Sequence, residues 1–219
     1  MDFIRFRSIG EILYEVMTGL LFYPRTLWRV LLQPAEVSAE IDRAADSGQP
    51  AVDLVSPPLF LILSILAAHA LDLVMRSALE PPAPVPAGNL LLLRLLAFSL
   101  LPLVMAAGTV RREGRPVDHA TLRPAFDLQC LYVAPFALSA SVAAVLIRSP
   151  VASMGIAGVA LAVAAVAWHL CVQTRWLGGR LSVGRVRAFR TALWLSTVAL
   201  FFSLVSAPLI LGLPGARAA

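Results

Sequence analysis

A chain of 219 residues, 59% of them hydrophobic and 14% charged, with a formal net charge of +5, is too apolar to fold as an ordinary soluble domain. The mean hydropathy of +0.81 points instead to an all-α, polytopic membrane protein. A pI of about 10.2 would suit nucleic acid, but all 18 basic residues are arginines, and apart from Arg94 they lie in short segments beside apolar runs. Anionic headgroups are their nearest partners there, so nucleic acid is not expected as a ligand.

The chain divides into an arm, residues 1–55, and a membrane domain, residues 56–219. In the arm, Ile9, Ile12, Leu13, Val16, Met17, Leu20 and Leu21 recur at helical spacing with Glu11 and Glu15 on the other face. Such a stripe suits an amphipathic helix lying in the membrane interface. Pro24, Arg25 and Arg29 oppose its extension into a further crossing, and Trp28 beside arginines continues the interfacial theme. A shorter, more polar helix is expected from Pro34 to Ala45, stopping near Gly48. The arm either packs under the bundle as a plug or docks a partner, since the same stripe serves both.

Five apolar runs follow, at about 59–75, 90–110, 126–147, 151–174 and 193–211. A helix needs roughly 20 residues to cross a hydrocarbon core of about 30 Å. Helices are required because backbone groups in lipid must pair within the segment. Ser56-Pro57 marks the start of the first run, and Pro81, Pro82, Pro84 and Pro86 form a stiff spacer after it. Pro102, Pro135 and Pro208 fall inside runs and are expected to break or kink them.

Arginine placement sets the orientation. Arg5, Arg7, Arg25, Arg29 and Arg43 precede the first run; Arg111, Arg112, Arg115 and Arg123 separate the second from the third; Arg175, Arg180, Arg185, Arg187 and Arg190 separate the fourth from the fifth. The alternate side carries Arg76, Arg148 and Arg217. The positive-inside rule then places the N-terminus in the cytoplasm and the C-terminus on the far side of the membrane. Anionic lipid is the expected partner of Arg111, Arg112, Arg115, Arg180, Arg185, Arg187 and Arg190.

Several local patterns resemble the Yip-domain family of five-span membrane proteins. They are Phe22-Tyr23-Pro24 and Leu31-Leu32-Gln33-Pro34 before the membrane, Leu131-Tyr132-Val133-Ala134-Pro135 in the third run, and Trp168 followed by Leu181-Ser182-Val183-Gly184-Arg185. The second basic segment holds Gly114 where the family often carries a glycine pair, and Val186 stands before Arg187-Ala188. The resemblance implies five spans with a cytosolic N-terminus. The short arm and the absence of lysine are similar to a bacterial branch whose members are sometimes labelled permeases.

Ionisable groups inside spans carry a functional hypothesis by default. Asp72 and Arg94 are expected about 6 Å inside the outer ends of the first two spans, close enough to pair, with His69 one turn from Asp72. An orientation-fixing ion pair is the simpler reading, and a proton or substrate path the alternative. Asp127, Cys130, His169 and Cys171 are expected at one depth near the inner face, but without the close paired spacing of a zinc site, so no metal is expected. Cys130 and Cys171 read as small apolar residues, and His169 as an interfacial side chain. Gly155, Gly158, Ala162 and Ala165 give the fourth span a small-residue face, and Ala137, Ser141 and Ala144 give one to the third. These faces pack the bundle or join two copies.

No Gly-rich phosphate loop, serine elbow or His-Glu-x-x-His helix occurs in the sequence, so neither catalysis nor a cofactor is expected. The expected role is that of an interaction component of the membrane, as a homo-oligomer or a subunit of a larger complex. The alternative is a small permease with Asp72, Arg94 and His69 at an outer site.

Overall fold

The computed structural model describes residues 9–47, 54–79 and 87–211. Its regular elements are helices: α1 (Ile9–Leu32), α2 (Pro34–Ser47), α3 (Pro57–Leu79), α4 (Ala87–Arg112), α5 (His119–Ile147), α6 (Ala152–Arg180) and α7 (Arg185–Leu211). The expectations for Arg5, Arg7, the stop at Gly48, the linker prolines Pro81, Pro82, Pro84 and Pro86, and Arg217 lie outside the described residues.

Four of the helices, α3 to α6, are long and apolar enough to cross a membrane. Large apolar side chains face outward along the bundle: Val74 on α3, Ile156 and Val163 on α6, and Leu200 and Phe201 on α7 are all more than half exposed. So much apolar surface in water would drive association, whereas acyl chains accept it.

Helix α5 is the axis of the assembly. It packs against α3, α4 and α6, while α7 packs against α4 and α6, so that α4, α5, α6 and α7 close a ring with α3 beside α5. Its residues from Leu128 to Pro135 are all buried, as befits a helix that is apolar all round rather than along one stripe. The helices run unbroken through Pro102 in α4 and Pro135 in α5, contrary to the interruption expected from those residues, and α5 also runs through Pro124.

The helices also overrun the apolar runs at both ends. Arg175 and Arg180 belong to α6, and Arg185, Arg187 and Arg190 to α7, leaving only residues 181–184 as the turn between them. This corrects the reading of residues 175–190 as a loop: hydropathy falls over these residues, but the backbone stays helical apart from the turn at 181–184. Ser182 takes a left-handed φ of 50° in that turn, and Gly114 a φ of 71° in the turn after α4. Glycine adopts that conformation without the steric cost a Cβ brings.

Asp118 caps α5. Its carboxylate accepts the Thr121 N–H at 2.8 Å, and Thr121 Oγ1 accepts the Asp118 N–H at 3.2 Å, which completes a capping box. The backbone N–H of Thr121 is the main cause holding the Asp118 pKa below its ordinary value. A depressed folded-state pKa contributes stability above the unfolded value and loses it as pH falls through the folded one. The Thr121 amide should therefore lose hydrogen-exchange protection at the acid end of the carboxylate range. In Asp118→Asn that acid-dependent step should be absent.

The arm is folded onto the bundle. Helix α1 continues through Pro24 and contacts α3 and α5, and α2 contacts α5 and α6. Tyr23 shares a hydrogen bond of 2.9 Å with Ser64, and Thr26 Oγ1 accepts the Val55 N–H at 3.3 Å. Arg29 and Glu40 pair at 2.7 Å across the α1–α2 elbow, and Val30, Val37 and Ile41 are buried beneath it. The side of α1 that meets the protein carries Gly19, Tyr23 and Thr26, while Leu13, Met17, Leu20 and Leu21 of the apolar stripe point away from it.

Candidate functional site

Two groups of polar side chains lie within the bundle, one at each end. The basic end holds Arg112, Arg180 and Arg185; the far end holds the α5–α6 turn and the last turns of α3.

At the far end, His69 and Asp72 occupy successive turns of α3, and both are buried. Arg94 on α4 donates to Asp72 Oδ2 at 3.0 Å and lies 3.3 Å from His69 Nδ1. Arg148, the C-cap of α5, donates to the other carboxylate oxygen. Three helices thus meet on one carboxylate whose side chain is 1% exposed. A buried carboxylate is strongly disfavoured unless its charge is paired and its lone pairs are filled, and two guanidinium groups do both. The structure therefore brings together His69, Asp72 and Arg94, and it adds Arg148.

Sequence reasoning placed Arg148 in a loop, where only the charge count applied to it. The C-terminal turn of α5 delivers it to Asp72. Because α3 continues to Leu79 and α4 begins at Ala87, Asp72 and Arg94 lie about 10 Å from those helix ends rather than about 6 Å.

At the basic end, Arg180 closes α6 and bonds Asp42 of α2 at 2.8 Å and Glu113 of the α4–α5 turn at 2.7 Å. Arg115 also reaches Glu113, at 3.3 Å. Arg180 and Arg115, expected from sequence to meet lipid headgroups or a partner, are engaged by carboxylates of the protein. The reason is geometric: three segments distant in sequence converge at the end of α6. Arg111, Arg185, Arg187 and Arg190 are exposed and form no ion pair among the described residues.

Deeper on the same side, Gln129 of α5 and Gln173 of α6 exchange two amide hydrogen bonds of 3.1 and 2.6 Å, both side chains being fully buried. Tyr132 donates its hydroxyl proton to Pro34 O at 2.9 Å, and Trp168 donates its indole N–H to Leu31 O at 3.2 Å. The Trp168 bond satisfies a carbonyl that the C-terminal end of α1 would leave open, and the Tyr132 bond ties α5 to the first residue of α2. A search for amides inside apolar runs would have found Gln129 and Gln173. Nothing local to Tyr132 or Trp168 says which carbonyl each reaches.

The reciprocal amide pair gives a clear expectation. Gln129→Leu should lower stability by about 1 kcal/mol, the scale of interhelical hydrogen bonds in membranes, because Gln173 then keeps an unfilled buried amide. The double change Gln129→Leu with Gln173→Leu should recover most of the loss in a detergent melting series.

Asp127, Cys130, His169 and Cys171 do not form a cluster. Asp127 approaches Arg123 at 3.9 Å, Cys130 is buried, and Cys171 is exposed on another face of α6. Among the described residues no three metal-ligating side chains come together. His169 is not interfacial: it is buried against the Phe136 ring at a centroid distance of 4.8 Å, and neither ring nitrogen has a hydrogen-bond partner within 3.5 Å among the described residues. Sharing a depth does not mean sharing a face, since a helix turns about 100° per residue.

The small-residue face of α6 is used inside the chain. Gly158 is buried, and a Cβ there would lie 2.8 Å from Ile147 N and 2.9 Å from Ala143 O of α5. Ala165 is buried as well, Ala162 partly so, and Gly155 lies at the edge of the contact, a Cβ there lying 4.0 Å from Ile147 O. On α5, Ala137 and Ser141 are buried as read from sequence, but Ala143 rather than the exposed Ala144 completes the contact. The α4–α7 contact has its own small residue, Gly108, whose missing side chain makes room for Leu195.

Clefts of about 570 to 820 Å³ lie toward the basic end, and none of them is lined by Asp72, Arg94 or His69. Comparison with protein-family models, characterised proteins and solved structures finds no match to this chain.

Proposed function

We propose that this protein is a five-span, Yip-like component of the bacterial inner membrane, with its N-terminus in the cytoplasm and its C-terminus in the periplasm, acting without catalysis through lipid and protein contacts. The fifth crossing is α7. From Arg190 to its end at Leu211 it has 22 residues, roughly 33 Å, which matches the hydrocarbon thickness. The basic end then faces the cytoplasm, in keeping with the positive-inside rule.

The observation that carries the interaction reading is the use made of the buried polar groups. Asp72 joins α3, α4 and α5, Arg180 joins α2, α6 and the α4–α5 turn, and Gln129 joins α5 to α6. Each is engaged with another part of the chain rather than converging on a common cavity. Because the Gly158 face is covered by α5, a second copy or a partner would meet other surfaces. The outward stripe of α1 and the lipid-facing sides of α6 and α7 are the ones available.

The test is the mass of the particle extracted in a gentle detergent. A complex well above the 23.4 kDa of one chain, after correction for bound detergent, supports the reading. A lone monomer at native expression level counts against it.

A second reading is kept open by the convergence of His69, Arg94 and Arg148 on Asp72, which is the arrangement a small permease would place at an outer site. Flux in proteoliposomes that disappears in Asp72→Asn with Arg94→Gln, while the fold survives, would favour the permease.

A further inference from the structure

We propose that the cleft between the end of α4 and the first half of α7 is a binding site for one anionic phospholipid of the inner leaflet. The inference rests on the cytoplasmic placement of the basic end and deepens it: a defined site replaces a diffuse charge attraction.

The cleft encloses about 820 Å³, within the usual range for a small-molecule site. Arg112 from α4 and Arg187 and Arg190 from α7 line it together with Leu193, Trp194 and Thr197, and no carboxylate among the described residues does. Elsewhere at this end Arg180 and Arg115 are neutralised by Asp42 and Glu113. The three cleft arginines are exposed and form no ion pair among the described residues; Arg112 makes one hydrogen bond, to Gly108 O at 3.1 Å. A concave surface that gathers three guanidinium groups is complementary to a phosphate, which each guanidinium can meet with a forked pair of donors.

The order of residues along α7 decides for a lipid over a free anion. Arg187, Arg190, Trp194 and Thr197 recur at spacings of three and four and so share one face, descending about 15 Å from the basic end. Charge comes first and then the apolar side chains of Leu193 and Trp194, 46% and 61% exposed, with Thr197 a turn below them. That is the polarity sequence of a phospholipid read from headgroup to acyl chain, with the indole at the depth where tryptophan prefers to lie. Basic pockets between transmembrane helices on the cytoplasmic side hold lipid headgroups in this manner. A free phosphate would have no use for the lower half of the cleft.

The experiment uses the full chain in nanodiscs and gentle detergent, with retained lipid read by native mass spectrometry. Phosphatidylglycerol should remain bound and phosphatidylcholine should not. R112Q with R187Q and R190Q should weaken retention on the order of 100-fold, since each arginine near an anionic surface contributes about fivefold. R190Q alone should give a partial loss of several-fold, which guards against a triple variant that fails to fold. R175Q, on the same end but outside this cleft, should leave retention unchanged.

Equal retention of phosphatidylglycerol by wild type and the triple variant overturns the proposal. So does displacement of the lipid by millimolar inorganic phosphate, which would make the site one for a soluble anion. A chain that fails to insert into liposomes, or whose basic end is accessible only from the periplasm, removes the placement itself. A chain that inserts correctly but holds no lipid selectively sinks this inference alone.

Discussion

Asp72→Ala is expected to destabilise the bundle by about 3–5 kcal/mol, because it leaves Arg94 and Arg148 directed at a buried position with no counter-charge. The carboxylate is all but inaccessible, and both of its oxygens accept a guanidinium. The cost arises mostly from the charges left behind, so it should shrink when one of them is removed as well. Asp72→Asn combined with Arg94→Gln should therefore lose less than the sum of the two single changes, the difference measuring their coupling. Arg148 is more exposed, its side chain being 39% accessible, and it can turn toward headgroups. Arg148→Gln should cost correspondingly less than Arg94→Gln. The measurement is a set of melting curves of the detergent-solubilised variants. A simple sum for the pair would show that Asp72 and Arg94 do not act as a unit.

Gly158→Ala is expected to cost about 1–3 kcal/mol through overpacking, and Gly158→Leu to prevent the α5–α6 contact altogether. The added carbon would meet Ile147 N and Ala143 O, both backbone atoms of the last turn of α5. Backbone cannot rotate away as the end of a side chain can, so the two helices must separate. Separation would be felt along the whole contact, down to the Gln129–Gln173 amide pair. Gly155→Ala is the control: its nearest neighbour across the contact would lie 4.0 Å from the new carbon, an ordinary van der Waals distance, and its melting temperature should stay within a degree or two of wild type. Equal losses at the two glycines would refute the close approach of α6 to α5 at Gly158.

Particular residues show why some of this was legible beforehand and some was not. The four membrane-competent helices α3 to α6 follow from hydropathy, which depends only on neighbours along the chain. The approach of Arg94 to Asp72 followed from depth alone, because both lie a similar distance from the same end of adjacent helices. Depth was insufficient for Cys130, His169 and Cys171. Their heights along the bundle are comparable, but His169 turns toward Phe136 while Cys171 faces outward. Ala143 and Ala144 illustrate the same point within one contact, since a single step in sequence rotates the side chain out of the interface.

The arginines divide along this line too. By sequence, Arg180 and Arg187 were equivalent members of one basic segment. In the fold, Arg180 lies between Asp42 and Glu113, residues 138 and 67 positions away in the chain, while Arg187 lines a cleft that no carboxylate among the described residues enters.

The amino-acid sequence by itself determined that the chain is helical, where its apolar runs lie and where its arginines gather, because hydrophobicity and charge add up locally along a helix. Only the tertiary structure decided which charges neutralise one another, which glycine bears a backbone contact, and that the arm's small and polar side meets the bundle while its apolar stripe faces away. Those outcomes depend on the rotation of each helix about its axis and on which helices become neighbours. Both are settled by packing among segments tens of residues apart, and a linear pattern does not encode them.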